Sequence, residues 1–132
     1  MMKMKEIFIV YGIKECANAG IDFYLETQEF NTEVFGVFTT FAAALCRLKE
    51  VAAEAFDYFI ENTAFSIDDD ALENAKNADL FSDYYGESDP DIRWEFFENT
   101  DYASWQMYPV NPDPFDKPIL AHIIIKKCEI TE

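Results

Sequence analysis

The chain has few of the residues on which enzyme and metal sites depend. It contains one histidine, His122, together with three cysteines and four glycines. None of the glycines stands in a GxGxxG or GxxxxGK[ST] run, so the common phosphate-binding loops are excluded. His122 lies in the apolar run ILAHIII, where a neutral strand residue is expected instead of a catalytic base. We therefore predict no catalytic residue, no cofactor and no metal, and expect a protein that is not an enzyme.

The cysteines and the apolar runs are also too sparse for a secreted or membrane protein. Cys16, Cys46 and Cys128 are odd in number, widely separated and without a CxxC pair, so neither a disulfide framework nor a zinc site is indicated. We expect reduced, mostly buried thiols. The N-terminal apolar run is too short for a signal peptide, and no segment approaches the roughly 20 apolar residues that span a bilayer. A cytoplasmic location is predicted.

Basic residues are scarce relative to acidic ones. Ten Lys and Arg face 26 Asp and Glu, for a formal charge of −16, about twice the upper end of the range of roughly 2 to 8 that keeps a small domain soluble. Such a field repels nucleic acid and anionic membrane and attracts basic surfaces. Because half of the residues are hydrophobic and 17% are aromatic, the chain is unlike a disordered acidic tail. We predict one folded domain, residues 1–132.

The first half of the sequence predicts strands followed by a long helix. Segments 6–11 and 22–26 are rich in β-branched and aromatic residues and suggest a hairpin, with a third strand at 33–38. Thr39 or Thr40 is placed to cap a helix that spans about 40–61. Its expected buried stripe, at steps of three and four, consists of Phe41, Leu45, Leu48, Ala52, Phe56 and Phe59.

The second half predicts a short helix and three more strands. Ser66 and Asp69 have the spacing of a capping box at the start of a helix within 66–85. Strands are expected at 92–97, 103–108 and 119–128, the last two joined by a proline-rich connection. The order predicts an α+β fold, with a mainly antiparallel sheet of about five to six strands and both helices packed on one face.

The excess of acidic residues is confined to about half of the chain. Residues 50–116 hold 18 acids and two bases, whereas the other residues are balanced. On the long helix the acids Glu50, Glu54, Asp57 and Glu61, called the acid row below, fall on one face. Their spacing of about 4.5 to 6 Å along the axis is of the same order as the roughly 3.4 Å between phosphates of one DNA strand. Like charges at this spacing cost a helix about 0.2 to 0.5 kcal/mol per pair, so a functional reason for them is worth seeking.

Two further acidic clusters follow the acid row. The second cluster consists of Asp68, Asp69, Asp70 and Glu73, in a first helical turn where acids are locally favourable. The third cluster consists of Asp83, Glu87, Asp89 and Asp91, beside Tyr84, Tyr85 and Trp94, which suit either a contact surface or a sheet core. A calcium loop at 87–98 fails in detail, because its sixth place needs Gly and holds Ile92.

The composition and the acidic half of the chain resemble, as a class, nucleic-acid-mimicking inhibitors such as anti-CRISPR and anti-restriction proteins of phages. They are similar also to acidic immunity proteins that neutralise nuclease toxins, although no motif matches either group residue by residue. The resemblance implies a non-enzymatic protein whose three acidic clusters occupy the basic surface of a nucleic-acid-handling protein, with no direct binding to nucleic acid or membrane. Two alternatives stay open: a mobile-element or housekeeping domain whose acids only give solubility, and a weak cation binder.

Overall fold

The computed structural model describes residues 4–14, 32–62, 69–85, 91–110 and 121–131. The elements are β1 (Met4–Ile13), β2 (Thr32–Phe38), α1 (Phe41–Asn62), α2 (Asp69–Lys76), β3 (Asp91–Glu98), β4 (Ala103–Val110) and β5 (Ala121–Thr131). The strands form one sheet in the order β2-β1-β5-β4-β3, and every neighbouring pair is antiparallel. The α+β prediction is confirmed. The strand expected at 22–26, its hairpin and the Ser66 cap lie outside the described residues.

Helix α1 begins and packs as its sequence predicts. The Thr40 hydroxyl oxygen accepts a hydrogen bond from the Ala43 N–H at 3.2 Å, which is the N-cap contact. No acid stands in its first turn and no base in its last, so the helix dipole is not complemented and packing must supply the stability. The predicted stripe is buried at Leu48, Ala52, Phe56 and Phe59, is partly buried at Phe41 and Leu45, and is widened by Ala44, Val51 and Ala55.

Both helices lie on the same face of the sheet. Helix α1 packs across β5, β2, β1 and β4, and α2 packs on β3. Trp94 and Trp105 are fully buried between the layers, and the Phe56 ring of α1 meets the Trp94 ring edge-on at 5.5 Å. Since full burial of one large apolar side chain stabilises by about 1.5 to 3 kcal/mol, this layer holds the helices in place. The opposite face of the sheet, which no described helix covers, is called the open face below.

The segment after α2 protects the edge of the sheet at β3. Tyr84 and Trp94 exchange two backbone hydrogen bonds, of 2.9 and 3.0 Å, and the Asp83 carboxylate accepts a third from the Phe96 N–H at 2.9 Å. The Trp105 indole N–H donates to the Leu80 carbonyl at 2.8 Å. The Trp94 and Phe96 N–H groups, which an edge strand would otherwise expose to other chains, are thereby paired, and the Trp105 contact holds the segment against β4.

Gly12 is required by the contact between β1 and β5. Its φ is +147°, and a Cβ at this position would lie 1.9 Å from the His122 carbonyl oxygen. That oxygen belongs to the backbone of β5 and cannot move aside without breaking the strand pairing. A side chain is therefore excluded at position 12 by both conformation and space.

Candidate acidic binding surface

The acid row forms the outer face of α1. Glu50, Glu54 and Asp57 are exposed, on the side of the helix opposite the buried residues Leu48 and Phe56. Glu61 belongs to the last turn of α1, but its side chain is outside the described part of the structure. The prediction that these acids share one exposed face is confirmed for the three described side chains.

Two basic side chains lie beside the acid row. Lys14, which follows β1, donates a 2.5 Å hydrogen bond to Glu54. Arg47 places its guanidinium 3.7 Å from Glu54 and 3.6 Å from Glu50, while its Nε–H donates to the Phe35 carbonyl at 3.1 Å. Both bases come from outside residues 50–116, so the acid row carries less net charge than a count along the chain indicates.

The sequence indicates the contact with the acid row for only one of these two bases. Arg47 stands three residues before Glu50 on the same helix, a spacing at which side chains meet. Lys14 is 40 residues from Glu54 in the chain, and only the packing of α1 over the sheet brings the two together.

The ion pairs keep Glu54 ionised. The hydrogen bond from Lys14, followed by the charges of Lys14 and Arg47, lowers the pKa of Glu54 below its ordinary value of 4.5, against an opposing effect of burial. Glu54 is exposed, and ion pairs of this kind contribute only about 0 to 1 kcal/mol. The carboxylate is therefore held in place and charged, and its present partners can be exchanged for others at small cost.

The second cluster lies on the same side of the sheet as the acid row. Asp70 and Glu73 are exposed on α2, which packs on the sheet face that α1 covers. Asp69 is the first residue of α2, and Asp68 falls outside the described residues. The fold thus brings the described acids of two clusters to one side of the molecule, the helix side.

Of the third cluster, only the Asp83 side chain is described, and it is engaged in a contact within the protein. Asp83 is exposed but uses its carboxylate to bind the Phe96 N–H, so it has a structural part. Tyr84 stacks on Trp94 at 4.4 Å and Trp94 is fully buried, which favours the core interpretation for these two residues, whereas Tyr85 is 55% exposed. Asp91 begins β3, whereas Glu87 and Asp89 lie outside the described residues.

The described part of the chain also places the candidate calcium-loop, cysteine and histidine residues. Within the described ranges no three or more His, Cys, Asp or Glu side chains are grouped to hold a metal ion, and residues 91–98 of the calcium-loop frame form strand β3. Cys46 is exposed and Cys128 half-buried, so the prediction of mostly buried thiols is wrong at Cys46, which lies outside the buried stripe of α1; Cys16 is not among the described residues. Burial lowers the pKa of His122, which keeps it neutral at pH 7.

The chain was compared with known proteins by sequence and by structure. Searches against protein-family models, curated proteins and solved structures found no match to this chain. In the described part of the chain, neither helix combines the length and the apolar character needed to cross a membrane. The function must therefore be argued from the surface itself.

Proposed function

We propose that this protein is a non-enzymatic inhibitor that binds a basic nucleic-acid-handling protein through its helix side. The observation that carries the proposal is the placement of exposed acids from α1 and α2 on one side of the sheet. There they would occupy a surface of the target that otherwise holds phosphates. Nucleic-acid mimicry of the anti-CRISPR or anti-restriction type, or nuclease-toxin immunity, are the forms that this activity would take.

The spacing and the charge of the helix side support a phosphate-like role. Glu50, Glu54 and Asp57 follow one another at about 4.5 to 6 Å along the axis of α1, within the reach of Lys and Arg side chains that normally contact neighbouring phosphates. With a formal charge of −16, the molecule would attract a basic partner over long range. Association would be fast at low salt and slower as salt screens the field.

Lys14 and Arg47 fit this role as positioning residues. Arg47 is itself fixed by the Phe35 carbonyl, and together with Lys14 it restricts the Glu54 side chain. A side chain already held in one geometry loses less conformational entropy when a partner binds it. Asp57 and Glu50, the two ends of the described acid row, would then make the first contacts with the target.

The same ion pairs favour a second candidate function. If Glu50 and Glu54 serve mainly to hold Lys14 and Arg47, the acids belong to the ordinary solvated surface of a mobile-element or housekeeping domain and give it solubility. In that case no basic protein would bind in competition with nucleic acid. The two candidates are separated by one binding experiment.

The experiment uses the immobilised protein and a heparin-retained fraction of lysate from its source organism, which enriches proteins with phosphate-binding surfaces. We expect one basic nucleic-acid enzyme to be retained, to be released by duplex DNA or RNA, and to elute as salt is raised. Retention that nucleic acid does not reverse, or no retention at low salt, would contradict the proposal and support the solubility function.

Two variants with equal charge change locate the contact. In the first, Glu50→Lys and Asp57→Lys reverse two exposed acids of the acid row. In the control, Glu98→Lys and Glu129→Lys reverse two exposed acids of the strands that belong to none of the three acidic clusters. We expect the first variant to weaken retention at least about tenfold, the equivalent of losing about 1.4 kcal/mol, and the control to weaken it far less. Equal losses would contradict the assignment of the contact to the acid row.

A further inference from the structure

The open face of the sheet is largely apolar on β2 and β1, continues through Ile124 of β5 and carries a further apolar residue, Phe97, on β3. One line of register partners crosses all five strands, and Ile9 and Val37 form another apolar pair beside it. The line consists of Phe97, Ser104, Ile124, Tyr11 and Val34. Val34, Val37 and Phe97 expose 66%, 56% and 53% of their surface. Exposed large apolar side chains are thus gathered on the face that no described helix covers.

Strand β1 has the composition of a strand that is covered on both faces. On an antiparallel sheet with one solvated face, the residues on that face are normally polar. In β1 the open-face positions hold Ile7, Ile9, Tyr11 and Ile13, opposite Phe8 and Val10 in the core. Contiguous apolar patches of more than a few hundred Å² on a soluble protein mark interaction sites.

The charge distribution favours a second copy of this chain as the occupant. The charged side chains described on the open face are Lys5, Arg93, Glu95 and Lys126, whereas the acid row and the second cluster lie on the helix side. Two copies, each with a formal charge of −16, therefore meet least repulsion through their open faces. An apolar surface is also complementary to itself, as an interface on a two-fold axis requires.

We propose that two copies of this protein pack their open faces together across a two-fold axis, sheet on sheet. Five strands about 4.8 Å apart, with 7 to 11 residues each at about 3.3 Å per residue, give the face an area of roughly 700 Å². Stable interfaces of standard size bury about 600 to 1,000 Å² on each partner, so a face of this area falls within the range. In this dimer both helix sides face outward. The proposed dimer does not depend on whether the helix sides bind a basic protein.

The wild-type protein gives the first test. Sedimentation equilibrium of the purified chain at up to roughly 100 µM, a range that detects micromolar dissociation constants, should show a species of twice the 15.3 kDa chain mass. Added NaCl should tighten the dimer, because salt screens the repulsion between acidic copies. Salt acts in the opposite direction on binding of a basic target, so the two proposals fail independently. A monomer at all concentrations and salt levels overturns the dimer.

A pair of variants gives the second test. Val37→Glu with Phe97→Glu adds two acids at exposed open-face positions, and Ala42→Glu with Asn74→Glu adds two acids at exposed helix positions. The first should raise the dimer dissociation constant at least about tenfold, while the control changes it less than about threefold. Equal effects overturn the assignment of the open face. Near-ultraviolet circular dichroism of the buried tryptophans checks folding, and if the open-face variant is unfolded the wild-type result decides.

Discussion

Single residues determine how much of the acidic charge is available to a partner. Thr40 and the buried stripe of α1 could be predicted because capping and helical periodicity are local properties of the sequence. The pairing of Lys14 with Glu54 could not, since it depends on how α1 crosses the sheet. A count of charges along the chain therefore overestimates the net charge of the acid row.

The Glu54 ion pairs lead to a prediction for stability against pH. Because the pKa of Glu54 is lowered in the folded protein, its contribution is present above the ordinary value of 4.5 and is lost as pH falls through the lowered value. We expect Glu54→Gln to reduce the free energy of unfolding by less than about 1 kcal/mol near neutral pH. Urea unfolding of both proteins at a series of pH values down to the acid range should show this difference shrinking. A difference that grows as pH falls would contradict the assignment.

At the scale of elements, the sequence predicts which segments form strands and helices better than which strands are neighbours. The α1 and β3 bounds agree with the prediction to within two residues. Alternation and composition, however, do not tell which strands pair, so the position of β5 between β1 and β4 had no signal in the sequence. The sequence shows the apolar residues of β1 and β5, but it does not show that the two strands are neighbours and that these residues form one surface.

The pairing of β1 with β5 is tested by a glycine substitution. Gly12→Ala places a Cβ against the His122 carbonyl and strains a φ of +147°, so we expect a loss of more than about 3 kcal/mol or failure to fold. Gly36→Ala is the matched control, since its Cβ would meet the Phe38 ring at 2.6 Å and a side chain can turn away. Denaturant unfolding of both variants measures the difference. A Gly12→Ala protein as stable as Gly36→Ala would contradict this strand register.

The whole molecule has two unlike sides, and this division is the result of the fold. Exposed acids of α1 and α2 lie on the helix side, whereas the open face carries the apolar residues of β1 and β2. The sequence predicted the acidic half of the chain and the single helix-covered face, but whether the clusters share a side depended on the packing of α2 beside α1. The function itself rests on the proposed use of the helix side.

Self-repulsion among the acids should lower the thermal stability of the protein at low salt. With a formal charge of −16, the folded state brings like charges together, and salt should relieve the repulsion. We expect the thermal midpoint to rise as NaCl is increased from low to physiological concentration, measured at a chain concentration low enough to keep the protein monomeric. A midpoint that falls would show that ion pairs such as Lys14–Glu54 outweigh the repulsion.

The decisive measurement for binding through the acid row is the affinity of the purified target for three proteins. These are the wild type, the Glu50→Lys and Asp57→Lys variant, and the Glu98→Lys and Glu129→Lys control. Calorimetric titration over a series of salt concentrations gives each dissociation constant and its salt dependence. If α1 contacts the target, the acid-row variant should bind at least about tenfold more weakly and lose affinity less steeply with salt, while the control stays near wild type. Wild-type affinity and salt dependence in the acid-row variant would remove α1 from the interface and contradict the proposed function.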